Sequence, residues 1–241
     1  LAAVLAAFEA SMTVMGALGP AMLLVTKNDA ANIAKVRAAL AERGGGGGGG
    51  GGGGSGTVRA LLEREIADGV HTLNGEDEGE GGSFGSSGSG GGVVLADPSA
   101  AMGLLWLARS LHFLVAATDQ LRQKGEAELD AESAAAAAGG ATTFGGGEMF
   151  EDPMAGALRL AYAESLEPYH GWMLRKTLQL ASSQAPSYPA VLQLWGPGVG
   201  EAERLSLITA EMGPFVASGR ALVDAINSLL GELRLYDDRP V

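Results

Sequence analysis

Five residues in this chain have the type and the spacing expected of a surface that binds a polar molecule. Asn28, Asn32 and Lys35 recur at intervals of four and three residues, so a helix would present all three on one face. Trp106 and Arg109, three residues apart, would share a face of a second helix in the same way. Amide, ammonium and guanidinium groups supply hydrogen bonds and an indole supplies a flat apolar plate, so the chemistry indicated is recognition.

A further cluster, Tyr169-His170-Gly171-Trp172, falls in a segment that we expect to form one long helix, with Lys176 one turn beyond Trp172. Each cluster also has an ordinary structural explanation. A single tryptophan in a helix is usually a core residue, a stripe of Asn and Lys is usually solvated, and a lone histidine is usually satisfied by its neighbours. Spacing by itself leaves both interpretations open.

The residues needed for catalysis or for metal binding do not occur in suitable combinations. The chain has no Cys, and its three His residues, His71, His112 and His170, have no zinc-ligand spacing. Ser182 and Ser183 follow His170 closely, but no nucleophile elbow or paired acid accompanies them. We therefore expect no enzyme activity, no metal site and no cofactor.

The overall charge narrows the choice of partner. Lys and Arg number 16 and Asp and Glu number 28, which gives a net charge of −12. A nucleic-acid partner requires a basic surface, so we exclude this class. Electrostatic attraction alone would not hold such a chain on an anionic membrane either.

The N-terminal residues 1–25 are largely apolar, with Glu9 as their only charge. By length they resemble a membrane-spanning segment. A signal peptide would carry a basic stretch, which is missing here, and Gly19-Pro20 interrupts the apolar run. Two buried helices joined at Gly19-Pro20 therefore fit better than a signal or an anchor.

Three low-complexity tracts occupy residues 44–56, 76–92 and 131–147. Such chain cannot recover its ordering entropy by burial, so we expect flexible loops. The glycine run in the first tract does not indicate a nucleotide site, because no Lys-Ser/Thr follows it and no strand precedes it. We predict a single domain over residues 1–241 with these tracts as loop insertions.

Apolar residues between the tracts recur at helical spacing. Helices are predicted over residues 32–43, 57–70, 100–124, 158–181 and 205–235. We expect Thr57 to cap the second of these helices, Pro168 to bend the fourth, and Gly213-Pro214 to interrupt the last. Alternating β-branched runs are missing, so the predicted fold class is all-α.

Three ordered motifs resemble those of the glycolipid transfer protein family. Residues 28–35 (NDAANIAK) resemble the family's Asp-x-x-x-Asn-x-x-Lys, and residues 106–113 (WLARSLHF) resemble its Trp-Leu-x-Arg-x-Leu-x-Phe. Residues 161–162, 169–172 and 185–186 match a third signature. The match runs in order along the chain, and every low-complexity tract falls between motifs, where loops would be.

This resemblance implies a two-layer sandwich of about eight helices that holds a lipid's tails between its layers. It also implies a non-enzymatic carrier that moves one sphingolipid between membranes. By resemblance, the Trp106 indole lies against the apolar face of a head-group sugar, while Asn32 and Lys35 bind its hydroxyls. His170 would bind the carbonyl of the ceramide amide, and Arg109 and Tyr236 complete the head-group set.

The family's Asp, which binds the amide N–H and a sugar hydroxyl, has two candidates in this chain. Counting back from Asn32 without a gap places Asn28 in this role, whereas Asp29 is its neighbour and still shares a face with Asn32. A carboxylate is the stronger acceptor, so we favour Asp29 and keep Asn28 as the alternative.

The expected cargo is a glycosylceramide. Family members that carry ceramide-1-phosphate place Lys at the Asn32 position and Arg at the Trp106 position, and phosphate recognition requires such cations. Trp172 and Lys176 are expected to contact the membrane, since Trp favours the bilayer interface. We expect a cytosolic protein, peripheral at membranes; a ceramide-1-phosphate carrier and a lipid sensor or adaptor that binds without net transfer are the alternatives.

Overall fold

A computed structural model describes residues 1–19, 22–44, 57–73, 93–138 and 152–239. In these ranges the chain forms eight α-helices, which are α1 (Ala2–Ala17), α2 (Leu23–Gly44), α3 (Val58–Ala67), α4 (Ala100–Ala137), α5 (Pro153–Ser165), α6 (Trp172–Ser182), α7 (Tyr188–Trp195) and α8 (Glu201–Glu232). A 3-10 turn, Glu167–Tyr169, precedes α6, and the short strands β1 (Thr72–Leu73) and β2 (Val93–Val94) pair antiparallel. The all-α prediction is confirmed.

Helix α4 is the centre of the fold, because α2, α5 and α8 all pack against it. The Ser99 hydroxyl caps its N-terminus by accepting a hydrogen bond from Met102 N at 3.0 Å. The buried Glu65 carboxylate accepts two more, from Ala100 N at 2.7 Å and Ala101 N at 3.0 Å. In the described part of the chain only α4 is long and apolar enough to span a membrane, but 83% of its most apolar stretch is buried within the fold.

Two apolar clusters lie along α4. The first cluster joins α1, α2, α3 and α8 to the first half of α4, and its fully buried members include Phe8, Leu62, Leu104, Leu105 and Leu107. The second cluster joins the end of α1 and helices α5 to α8 to the second half of α4, and its fully buried members include Met15, Leu18, Met22, Leu114, Leu121, Met154 and Leu158. The second cluster borders the cavities described below.

Two predictions from the N-terminal part of the chain are confirmed. The break between two helices is confirmed, since α1 ends at Ala17 and α2 begins at Leu23. Gly19 between them has a φ of +94°, which suits glycine. The predicted burial is only partial, because α1 is buried on one side and Leu23 and Leu24 of α2 are exposed. Thr57 caps α3, because its hydroxyl accepts a hydrogen bond from Ala60 N at 3.1 Å.

The prediction of one bent helix over residues 158–181 is wrong. Helix α5 ends at Ser165, and the 3-10 turn that follows contains Pro168, which disfavours a helical conformation of the residue before it. Tyr169 therefore ends the 3-10 turn, His170 and Gly171 lie in the connection, and Trp172 begins α6. His170 has an extended backbone with φ −104° and ψ 133°.

The interruption expected at Gly213-Pro214 is also wrong, since α8 continues through Pro214. Helix α8 packs tightly on α4: a Cβ at Gly219 would lie 2.4 Å from Val115 Cγ2. This tertiary packing outweighs the local preference of Pro214. Helix α7 and the two-residue strands were not predicted, because such short elements carry little periodic signal.

The loop predicted for the third low-complexity tract does not begin where we expected, because the first part of the tract is helical. Helix α4 continues to Ala137, so the loop predicted over residues 131–147 is wrong for residues 131–137. Alanine is the strongest helix former and the first glycines of the tract are Gly139 and Gly140, which explains the extra turns. Residues 139–147 of this tract lie outside the described residues, as do residues 45–56 and 76–92.

Candidate functional site

A cavity of 330 Å³ opens between α2, α4 and α6. Its lining residues are Leu24, Val25, Asn28, Asn32, Lys35, Asp97, Trp106, Ser110, Leu166, His170, Leu174 and Leu178. Polar residues of α2 and α4 form one wall, and Leu166 together with leucines of α6 forms the other. Gly103 allows α2 and α4 to approach each other closely at the cavity. A Cβ at this position would lie 2.8 Å from the Asn32 carbonyl oxygen, which is too close for any other residue.

Asp29 and Asn32 are two deeply buried polar residues of α2; Asn32 lines the cavity, whereas Asp29 does not and contacts Ser110 of the lining. Only 3% of Asp29 and 1% of Asn32 is exposed. The Ser110 hydroxyl donates to Asp29 Oδ2 at 2.7 Å. Among the described residues, Asp29 Oδ1 and both amide atoms of Asn32 have no hydrogen-bond partner. Buried polar atoms are normally paired, so these three atoms are available to a ligand.

Burial raises the pKa of Asp29 to about 7, and the hydrogen bond from Ser110 offsets only part of this rise. The carboxyl group therefore titrates near neutral pH, well above the range of an exposed Asp. A ligand that donates a hydrogen bond to Oδ1 would stabilise the carboxylate and lower this pKa. Ligand binding and deprotonation of Asp29 are expected to be coupled.

The rim of the cavity carries Asn28, Lys35 and Asp97. Asn28 is exposed, in contrast to its buried neighbour Asp29. The Lys35 ammonium lies 2.7 Å from Asp97 Oδ1 and forms an ion pair. Asp97 was not among the predicted site residues, because it lies in the connection before α4 and its position follows no helical spacing.

Trp106 and His170 stack at the centre of the site, with ring centroids 5.7 Å apart and planes inclined by 15°. His170 Nδ1 lies 3.1 Å from the Tyr162 hydroxyl. Burial, and then the charges of Arg109 and Arg175, lower the pKa of His170 to about 4. The imidazole is therefore neutral at physiological pH and has one N–H to donate.

Arg109 is enclosed by aromatic rings and by the C-terminal tail. Its Cζ lies 3.5 Å from the Tyr169 ring centroid and 4.8 Å from that of Trp106. Nη2 donates to the backbone carbonyl of Asp237. The Tyr236 hydroxyl lies 3.1 Å from that of Tyr169. Burial lowers the pKa of Arg109. Although both residues were predicted to bind the head group, neither Arg109 nor Tyr236 lines the cavity.

Helix α6 presents an exposed apolar surface next to the cavity. Trp172 and Met173 are 72% and 74% exposed, and Leu180 is 67% exposed. Lys176 is exposed on the same helix. Large exposed apolar side chains that occur together mark a contact surface for an apolar partner.

A second cavity of 710 Å³ lies between α1, α7 and α8. Its lining includes Val14, Trp195, Ile208, Met212 and Phe215, all of which belong to the second cluster or pack against it. The same cluster also includes Val25, Leu166 and Leu178 of the first cavity. One apolar cluster thus separates the two cavities.

Several solved structures share this fold. A structure of FAPP2, described as selecting simple glycosphingolipids with the GLTP fold, is 19% identical with a TM-score of 0.65 and covers 98% of this chain and 87% of that one. The mouse ceramide-1-phosphate transfer protein is 16% identical with a TM-score of 0.63, over 98% and 89% of the two chains. The fungal glycolipid transfer protein HET-C2 is 17% identical with a TM-score of 0.60, over 97% and 86%.

Sequence comparison gives the family. None of the curated proteins matches the sequence significantly. The family model of the glycolipid transfer protein (GLTP) matches residues 1–196, which include all three motifs identified above. The two-layer helical sandwich implied by those motifs agrees with the fold of the solved relatives. The chain therefore belongs to the glycolipid transfer protein family.

Proposed function

We propose that this protein is a non-enzymatic carrier that moves a sphingolipid, preferentially a glycosylceramide, between membranes. Proteins of this family are lipid transfer proteins rather than enzymes. The observation that carries the proposal is the buried amide of Asn32, which lines the polar wall of an otherwise apolar cavity and has no hydrogen-bond partner among the described residues. The buried Asp29 Oδ1, equally without a partner among these residues, lies next to that wall, where Ser110 donates to the other oxygen. An amphipathic ligand supplies the missing partners and fills the apolar side as well.

The ceramide amide needs a partner for its N–H and another for its carbonyl when it leaves water. Asp29 Oδ1, next to Ser110 of the cavity wall, is a buried acceptor without a partner among the described residues and suits the N–H. If the Tyr162 hydroxyl donates to His170 Nδ1, the neutral imidazole keeps its proton on Nε2, which then suits the carbonyl. Tyr162 fixes the tautomer in this arrangement.

The head-group sugar is assigned to the rim side of Trp106. An indole face suits the C–H face of a sugar ring, and Trp106 is held in place by its stack on His170. Asn32 offers both a donor and an acceptor, because neither atom of its amide is engaged. Lys35 lies on the same side of the cavity and binds a further hydroxyl.

The lipid tails are assigned to the second cluster. Val25, Leu166 and Leu178 begin the apolar wall of the first cavity, and the cluster continues towards the second cavity. Burial of each methylene stabilises the bound lipid by about 0.8 kcal/mol, which offsets what the lipid loses on leaving a bilayer. Side chains of the cluster are expected to move apart when a chain enters.

Membrane contact is assigned to α6, where Trp172, Met173 and Leu180 are exposed. Tryptophan favours the bilayer interface, and Lys176 suits lipid phosphates. Because the chain carries a net charge of −12, contact is expected to rest on these apolar side chains and to be transient. We place the protein in the cytosol, peripheral at membranes.

Vesicle-to-vesicle transfer of fluorescent lipids tests the proposal. Galactosyl- or glucosylceramide is expected to transfer faster than ceramide-1-phosphate, because a phosphate brings negative charge next to Asp29 and Asp97. The double change Asn32→Lys with Trp106→Arg is expected to shift the preference towards ceramide-1-phosphate. Transfer of ceramide-1-phosphate alone would make the protein a carrier of that lipid, and tight binding without transfer would make it a sensor.

A further inference from the structure

We propose that Asp97 determines head-group choice: it neutralises Lys35 against a phosphate and offers its carboxylate to the hydroxyls of a sugar. This inference rests on the proposed sphingolipid-carrier function and adds the residue that selects among sphingolipids. No resemblance or spacing in the sequence points to Asp97.

The ion pair lies at the rim of the cavity. Lys35 Nζ is 2.7 Å from Asp97 Oδ1, and both residues line the 330 Å³ cavity beside Asn28 and Asn32. The Lys35 side chain is 23% exposed and that of Asp97 is 56% exposed. A bound head group would therefore meet the ammonium and the carboxylate side by side.

A phosphate would find no unengaged cation here. Lys35 is the cation among the described residues that line the cavity, and Asp97 already neutralises it. Arg109 lies behind Trp106, where it binds the Asp237 carbonyl and stacks on Tyr169. Phosphate sites require several charge-assisted donors, so this arrangement disfavours a phosphate head group.

A neutral sugar gains from the same pair. A hydroxyl group both donates and accepts, so one hydroxyl donates to the outer Asp97 oxygen while another accepts from Lys35. Hydrogen bonds to charged groups are the stronger ones. The pair that weakens phosphate binding therefore strengthens sugar binding.

The test measures a selectivity ratio, the rate of ceramide-1-phosphate transfer divided by that of glucosylceramide, between phosphatidylcholine vesicles. Asp97→Asn is expected to raise this ratio about fivefold. Asp97→Glu keeps the charge and is expected to retain the wild-type preference. Asp224→Asn removes the same charge from the exposed face of α8, away from the cavity, and is expected to change the ratio less than about twofold. Both transfer rates are proportional to the concentration of folded protein, so partial unfolding of a variant cancels in their ratio.

Introducing Lys35→Met both into the wild-type protein and into the Asp97→Asn variant isolates the role of Lys35. Lys35→Met is expected to lower ceramide-1-phosphate transfer more in the Asp97→Asn background than in the wild-type background, where Asp97 already neutralises the ammonium. In the Asp97→Asn background, Lys35→Met is expected to reverse the gain in that transfer. An unchanged ratio in Asp97→Asn, or a gain that survives Lys35→Met, overturns the inference. If the wild-type protein transfers neither lipid, the carrier function itself is wrong.

Discussion

The two buried charged residues of the site, Asp29 and Arg109, have different surroundings. Among the described residues Asp29 has one partner, Ser110, and its second oxygen is unpaired, as is the amide of Asn32. Arg109 lies between the Tyr169 and Trp106 rings and donates to the backbone of the C-terminal tail, and its Nε is its one buried atom without a hydrogen-bond partner among these residues. The sequence assigned both residues to head-group binding. We therefore predict a division in which Asn32 and its neighbour Asp29 (the Asp29 side) bind the ligand, while Arg109 and the tail (the Arg109 side) support Trp106.

The largest effect is expected at Trp106, which lies between the two sides. Trp106→Ala removes the plate for the sugar and exposes His170 and Arg109, so transfer of glycosylceramide is expected to fall at least about 100-fold. Circular dichroism is expected to show unchanged helicity, since Trp106 is only partly buried. Trp106→Phe is the control and keeps part of the activity. Full transfer by a folded Trp106→Ala protein would remove the sugar plate from the mechanism.

Asn32→Leu tests whether the Asp29 side is reserved for a ligand. Loss of about two hydrogen bonds to the lipid is expected to lower transfer roughly 30-fold. Stability is expected to hold or to rise by about 1 kcal/mol, because the empty protein leaves both amide atoms unpaired. Thermal unfolding measures this.

Ser110→Ala is the contrasting control. It removes the only partner of Asp29 among the described residues and is expected to destabilise the protein by about 1 kcal/mol. If Asn32→Leu were destabilising to the same extent, the Asn32 amide would have a structural partner, and the contrast between the two sides would be lost.

The pKa of Asp29, raised by burial to about 7, predicts a pH dependence of transfer. The carboxylate is a stronger acceptor for the amide N–H than the protonated carboxyl group, so transfer is expected to fall by up to about tenfold between pH 7.5 and pH 6. Asp29→Asn is expected to remove this dependence. His170, with its pKa lowered to about 4, does not change its charge in this range. A wild-type profile that is flat across pH 7 would argue against a role for the carboxylate.

The same pKa has the opposite effect on stability. Between pH 4 and pH 7 the folded protein keeps a proton on Asp29 that the unfolded chain has lost, so this residue makes the protein less stable as the pH rises through that range. Neutral His170 has the reverse sign, because the unfolded chain charges this residue below about pH 6.5. The Asp29 contribution is therefore the difference between the wild-type protein and Asp29→Asn, measured by urea unfolding at each pH.

The smallest effect is expected at Tyr236, on the Arg109 side. Tyr236→Phe removes the hydroxyl contact with Tyr169 but leaves the ring, so transfer is expected to change by no more than about twofold. Tyr169→Phe is its matched partner, and the two changes are expected not to add. A loss comparable to that of Asn32→Leu would instead place the Tyr236 hydroxyl on the head group.

Local patterns predicted much of the fold because they report on local forces. The cap at Thr57 could be predicted because Thr57 and Ala60, which form its hydrogen bond, are only three residues apart in the sequence. The continuous course of α8 through Pro214 could not, because packing on α4 decides it. The break before α6 was also missed, since the apolar residues on both sides of Pro168 kept a helical spacing.

Residue type and spacing in the sequence singled out Asn32, Lys35 and Trp106 as candidates, the family resemblance gave them and His170 a binding role, and the structure brings these four residues to one cavity. A helix fixes which of its residues share a face, so such sets can be read from the chain alone. Tertiary structure alone decided that Asp29 is buried while Asn28 is exposed, that Asp97 joins Lys35, and that Arg109 is enclosed by the tail. Burial and ion pairing depend on which surfaces meet after folding, and residues that are distant in sequence supply those surfaces.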